Sequence, residues 1–251
     1  MNFSHVSIFL IVFLAFTSDI QAQNRRRAAP KAKTPAVVQS SNAAVVIDER
    51  LAVLRAEPGF NAPPIMRMRN GRRVSISGSR EADGATFYRI TALPNNYGWV
   101  QAEAVFGKFR RGDDARLARL VQSSEGFEQI ERAQTFLELY NDSTLRPAIL
   151  LLLGDLIEET ALKLSSDATR KLDRREMAAS GAPLHSFYLN YVSLDRYRRL
   201  GINFLFNSNA KLFHYDGAGW REIVNKYPKS TEAAEAQKRL DSLKEKMEAV
   251  K

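Results

Sequence analysis

Cysteine is absent from all 251 residues. Without a thiol there is no disulfide staple, no Cys-ligated zinc or iron–sulfur centre, no thiol nucleophile and no lipid-modified cysteine behind a leader. Histidine is almost as scarce: His5, His185 and His214 are the whole supply. A three-histidine metal site would have to use all three, including His5 beside the N-terminal apolar run, so we expect no metal and no cofactor. Long apolar runs are also lacking. The longest, Val6–Phe16, covers 11 residues, whereas a membrane span takes about 20. No Gly-x-Ser-x-Gly, phosphate loop or His-Glu-x-x-His motif occurs either. These absences point away from bond-breaking chemistry, and no catalytic residue is assigned.

What remains is ordinary globular material, 45% hydrophobic and 26% charged, enough for one or two domains. The run Val6–Phe16 has the length of a signal-peptide core, and Ile20-Gln21-Ala22 ends with a small residue suited to cleavage. We therefore expect a signal peptide over 1–22 and an exported chain with no integral span after the leader is removed. Residues 23–43 hold few large apolar side chains and read as a basic disordered linker. Arg25, Arg26, Arg27, Lys31 and Lys33 supply five of the net +9 charges. Much of the high pI of about 9.8 thus belongs to a short arm that can hold anionic surfaces. Nucleic acid is a poor partner for an exported protein.

From Ala44 to about residue 107 the texture is short β-rich runs between turns. Val45-Val46-Ile47 and Leu51–Leu54 are strand material, and Glu57–Pro64 is a long loop. Asn70-Gly71 turns into Val74 and Ile76, which alternate with polar neighbours. Asp83-Gly84 leads into Thr86–Ile90, and Pro94-Asn95-Asn96 into Tyr97–Val100. Five such strands predict a small barrel. Their order resembles the bacterial SH3-like (SH3b) family: Leu51–Arg55 with Pro58 behind it, then Gly71–Ile76, Phe87-Tyr88-Arg89-Ile90, and Gly98-Trp99-Val100. Phe87 stands where that family commonly has Trp, and Leu54 is inserted before Arg55.

The resemblance implies an exported module of the periplasm or cell envelope that engages cell-wall peptidoglycan or peptide. Phe60 at the loop tip, with Phe87 and Tyr97, forms a candidate aromatic groove of flat rings. Trp99 joins the ligand-binding candidates, although a Trp after Gly also reads as barrel core. Arg67, Arg69, Arg72 and Arg73 make a cationic stretch beside the Asn70-Gly71 turn, fit for carboxylates and equally for a solvated rim. Arg69 is the candidate taken from that stretch.

After Lys108 the helical period takes over, and residues 108–251 are expected to be all-α. Leu117, Leu120 and Val121, then Ile130, Ala133, Phe136 and Leu137, mark apolar faces. Leu145 to about Leu164 is apolar nearly all round and belongs at a bundle centre. Phe187–Leu200 is a further helix candidate, 201–219 has no clear pattern, and Pro228 splits the last two helices. Leu139–Thr144 is echoed by Lys226–Thr231, 87 positions on. Trp220–Ser230 with Ala233, Ala234, Ala236 and Leu240 looks like a tetratricopeptide unit, which implies a surface for a protein partner.

The fold class read from the sequence is therefore α+β and multidomain: a small SH3-like antiparallel β-barrel, then an all-α tetratricopeptide-like helical domain. The function read from it is a non-enzymatic binding or adaptor protein. Two alternatives stand beside it. One is a cell-wall glycosidase using Glu158 or Glu159 as an acid together with a second carboxylate; separately, His214-Tyr215-Asp216-Gly217 sets an acid two residues from an imidazole, which a loop explains as simply. The other is a periplasmic structural or assembly factor without wall affinity.

Overall fold

The computed structural model describes residues 42–172 and 174–248. The signal-peptide expectation and almost all of the 23–43 expectation lie outside the described residues. The architecture is α+β: a seven-stranded antiparallel sheet comes first and helices follow.

The strands are β1 (Ala43–Val46), β2 (Val53–Arg55), β3 (Pro64–Arg67), β4 (Arg73–Ala82), β5 (Ala85–Ala92), β6 (Asn96–Gln101) and β7 (Val105–Phe106). They lie in the order β3-β2-β6-β5-β4-β1-β7. Two strands beyond the expected five are present, and the end strands β3 and β7 do not pair, so the expected barrel closure is not found among the described residues. The longest ribbon, β4–β5, forms because the Asp83-Gly84 turn has positive φ at both positions, 51° and 75°, the geometry of a tight hairpin.

Alternation explains the first strand. Ala44 and Val46 point into the core of the sheet with Leu54, Met68, Ile90 and Val100. Val45 and the following Ile47 point the other way, into the helical core. β7 divides in the same way, Val105 to the sheet and Phe106 to the helices. A strand buried on both faces needs a continuous apolar run, which is what Ala43–Ile47 is. The two halves are thus joined through shared strands.

The helices are α1 (Asp113–Gln122), α2 (Gly126–Leu139), α3 (Arg146–Lys171), α4 (Arg174–Ser180), α5 (Leu184–Leu189), α6 (Asp195–Arg198), α7 (Ala218–Lys226) and α8 (Ala233–Glu248). The expected central helix is α3, with Ile149, Leu150, Leu153, Ile157, Ala161, Leu164 and Ala168 all buried. None of the described helices is long and apolar enough to cross a membrane.

Two expectations for this half are corrected. Phe187–Leu200 is not one helix but the end of α5, a tight turn at Val192–Leu194, and α6. Nor is the region all-α. The hairpin β8 (Phe204–Asn207) and β9 (Leu212–Tyr215) packs on α3. Its residues are aromatic and β-formers, and Phe213 and Tyr215 enter the helical core. The physical reason for the hairpin is that packing, which helical periodicity does not register.

The internal echo has a backbone counterpart. α2 is capped at its C-terminus by Tyr140 and α7 by Tyr227; α3 begins at Arg146 and α8 at Ala233. In the first turn Tyr140 N–H donates to Phe136 C=O, Ser143 to Tyr140 and Arg146 to Ser143. In the second Tyr227 donates to Ile223, Ser230 to Tyr227 and Ala233 to Ser230. Each bond recurs 87 positions later. The same turn therefore makes two helical hairpins, α2–α3 and α7–α8.

Candidate functional site

Opposed residues in an antiparallel ladder share a face. The register sets Arg80 opposite Phe87, Phe87 opposite Gln101, Arg89 opposite Trp99, Thr91 opposite Tyr97, and Arg55 opposite Trp99. All of these occupy one side of the sheet. The other side carries Ile76, Ile90, Tyr88 and Val100, which face the core. Phe87, Tyr97 and Trp99 thus stand on one outer face, flanked by arginines.

Phe60 reaches the same face from the loop before β3. Its N–H donates to Asp83 Oδ2 at 2.8 Å, and Arg55 Nη1 donates to Ala62 C=O at 2.7 Å. These bonds hold the loop down, so the Phe60 ring meets Phe87 edge-on at 5.4 Å between centroids. Phe60 stays 43% exposed, but Phe87 is only 1% exposed. Phe87 therefore serves as the floor under Phe60 and offers no ring face to a ligand. Its burial follows from the loop folding back, since it belongs to neither main core.

Tyr97 is 61% exposed. Trp99 is half-buried and lies on the outer side, which corrects its reading as a core residue. The cause is parity: Gly98, not Trp99, points inward, where an added Cβ would lie 3.0 Å from Leu54 and 3.1 Å from Ile65. The Arg80 guanidinium sits 5.8 Å from the Trp99 ring centroid, a cation–π placement. Arg55 and Arg89 flank the same ring across the ladder. None of these three arginines has a carboxylate partner among the described residues.

Arg69 is not on this face. It lines a groove at the end of the sheet with Arg67, Arg72, Arg73, Met66 and Leu93. The structure brings four of the five candidates, Phe60, Phe87, Tyr97 and Trp99, onto one face and sets Arg69 in another place. Arg80 and Arg89, the neighbours of Trp99, are not among the candidates. The two-residue alternation Phe87–Arg89–Thr91 carried that signal, but only the ladder register shows which residues oppose it.

The helix carboxylates have a different setting. Glu158 accepts hydrogen bonds from His214 Nδ1 at 2.9 Å, Lys246 Nζ at 2.9 Å and Tyr215 N–H at 2.8 Å. Burial pushes its carboxyl up, but the three donors outweigh that and hold it down at about 2. An ionised Glu158 can only accept, so His214 carries its proton on Nδ1. The His214 ring is buried. Glu159 is exposed and pairs with Lys163 at 2.6 Å. His185 is exposed on α5. A general acid needs a proton near neutral pH, and Glu158 is held in the opposite state.

Asp113 is also spent on structure. Fully buried, it accepts from Arg110 Nε at 2.5 Å, Arg116 Nη1 at 2.7 Å and Gly107 N–H at 3.3 Å, tying the end of the sheet to α1. No group of three or more His, Asp or Glu arranged for a metal ion occurs among the described residues. Comparison with protein-family models, curated proteins and solved structures finds none that matches this chain.

Proposed function

We propose that the chain is an exported, non-enzymatic adaptor of the cell envelope. Its sheet is an SH3-like module that engages cell-wall peptidoglycan or peptide, and its tetratricopeptide-like helical hairpins engage a protein partner. The observation that carries the reading is the outer sheet face, where exposed Phe60 and Tyr97 and partly buried Trp99 sit among Arg55, Arg80 and Arg89. Flat rings with one polar handle give contact area at little entropy cost, and guanidinium groups pair carboxylates of a peptide stem. The duplicated hairpins support the second half of the reading, because stacked helical pairs build partner surfaces. Two linked interfaces raise each other's effective concentration. The glycosidase reading is the weaker one: Glu158 is pinned as an ion by three donors.

The test is co-sedimentation with purified insoluble peptidoglycan across a salt series. Three chains are compared: the one from Gln23, one lacking residues 23–43, and the Tyr97→Ala/Trp99→Ala variant. Binding that survives loss of the basic segment but fails in the double variant supports the reading. Binding that follows the basic segment alone, or that the double variant retains, ends the assignment to the sheet. No binding at all leaves the assembly-factor alternative in its place.

A further inference from the structure

A surface that shares no residue with the aromatic face carries a second inference. The groove at the end of the sheet has a volume of about 640 Å³, and among the described residues its lining holds four arginines and no acidic residue. Arg67 Nη1 donates to the carbonyls of Glu49 and Arg50, each at 3.1 Å, and Arg72 Nη2 to that of Leu93 at 2.6 Å. Those carbonyls fix the side chains without cancelling their charge. Arg73 meets Glu138 only at 3.9 Å, both side chains more than half exposed, so that pair neutralises little. The Arg69 side chain has no hydrogen-bond or ion-pair partner among the described residues; only its backbone carbonyl is engaged, by Arg72 N–H at 3.2 Å. The groove therefore concentrates weakly compensated positive charge, with the Arg67 and Arg72 side chains held in place.

We propose that this groove and the adjoining edge of β3 take an extended acidic peptide of a partner protein. Its backbone adds to β3 and its carboxylates meet the arginines. Among the described residues β3 ends the sheet and pairs only with β2, so its outer edge offers backbone groups to an added strand. Arg67 is both the last residue of β3 and a wall of the groove, which makes the edge and the groove one continuous track. Ile65 along that track is 47% exposed, and Leu93 at its end is 76% exposed. An alternating acidic and apolar peptide uses all of these features. A phosphate polymer uses the arginines alone and leaves the strand edge and both apolar side chains idle.

The test is fluorescence anisotropy on the chain from Gln23 with a labelled Glu-Leu-Glu-Val-Glu-Leu probe, and with inorganic polyphosphate of equal charge as competitor. Two further probes carry N-methyl groups on one or the other alternate set of amides. The expected results are saturable binding that weakens with salt, about tenfold loss in Arg69→Glu, and loss with one methylated probe but not the other. Arg69→Glu removes no contact that holds the fold, so its thermal midpoint stays at that of the parent chain. Unchanged affinity in Arg69→Glu, or equal binding of both methylated probes and the parent, overturns the proposal. So does displacement by polyphosphate at lower concentration than by unlabelled peptide. The probe holds no wall material, so this outcome is read separately from wall binding.

Discussion

The helical half and the sheet use the same charged residues to opposite ends. In the helical half the carboxylates are consumed by structure. Glu158 takes three donors, Asp113 takes two arginines and a backbone N–H, and Asp155 on α3 takes Arg239 of α8 at 2.9 Å. On the sheet, Arg55, Arg69, Arg72, Arg80 and Arg89 have no acid to meet among the described residues. Buried ions are tolerated only when paired, so the Glu158 and Asp113 clusters report on folding, whereas the more exposed Asp155–Arg239 pair contributes less. Exposed cations gathered without partners report on what the surface is left to do.

That contrast breaks first at Glu158. Glu158→Ala leaves the buried His214 ring and the Tyr215 N–H without their acceptor, and chemical denaturation is expected to show a loss of about 3 kcal/mol. The same group gives the pH dependence. Its folded pKa, about 2, lies below the ordinary 4.5, so its stabilisation is whole above pH 4.5 and is lost as the pH falls toward 2. Urea midpoints of the parent should therefore fall more steeply across that window than those of Glu158→Gln. Equal slopes would mean that the cluster does not hold Glu158 ionised.

Next in size is Gly154→Ala. Trp220 of α7 lies so close on α3 that an added Cβ would come within 2.7 Å of the indole Cε2, and overpacking of this kind costs about 2 kcal/mol. A thermal midpoint at the parent value would show that α7 can ride up without loss. On the sheet the effects shrink. Phe60→Ala uncovers Phe87 and removes an edge-on ring contact, so about 1 kcal/mol is expected. Smallest of all, Arg89→Ala should alter stability by less than about 0.5 kcal/mol while weakening sedimentation with peptidoglycan. An Arg89→Ala chain that unfolds early would place that arginine with the structural charges and erase the contrast.

Much was legible from local pattern. The turns Asn70-Gly71 and Asp83-Gly84, the alternation of Val74 with Ile76, and the apolar stretch inside α3 are near-neighbour signals. The 87-residue echo was legible too, because one capped turn between two helices is a local object that can occur twice. Less legible were α5, α6 and the β8–β9 hairpin, whose aromatic residues serve distant packing partners more than their own period.

By itself, then, the sequence determined the division into strand-rich and helix-rich stretches, the hairpin turns, and the presence of Phe60, Tyr97 and Trp99 in one short region. Each depends on residues a few positions apart, and backbone sterics and side-chain period act over that range. Only the tertiary structure decided which of those rings face outward. One step of register exchanges Gly98 for Trp99 between core and surface, and the fold of one loop buries Phe87. It also decided that Glu158 meets His214 and Lys246, 56 and 88 residues away, and that Arg69 and Leu93 border one groove. Those contacts are made by packing between distant segments, and no local pattern encodes them.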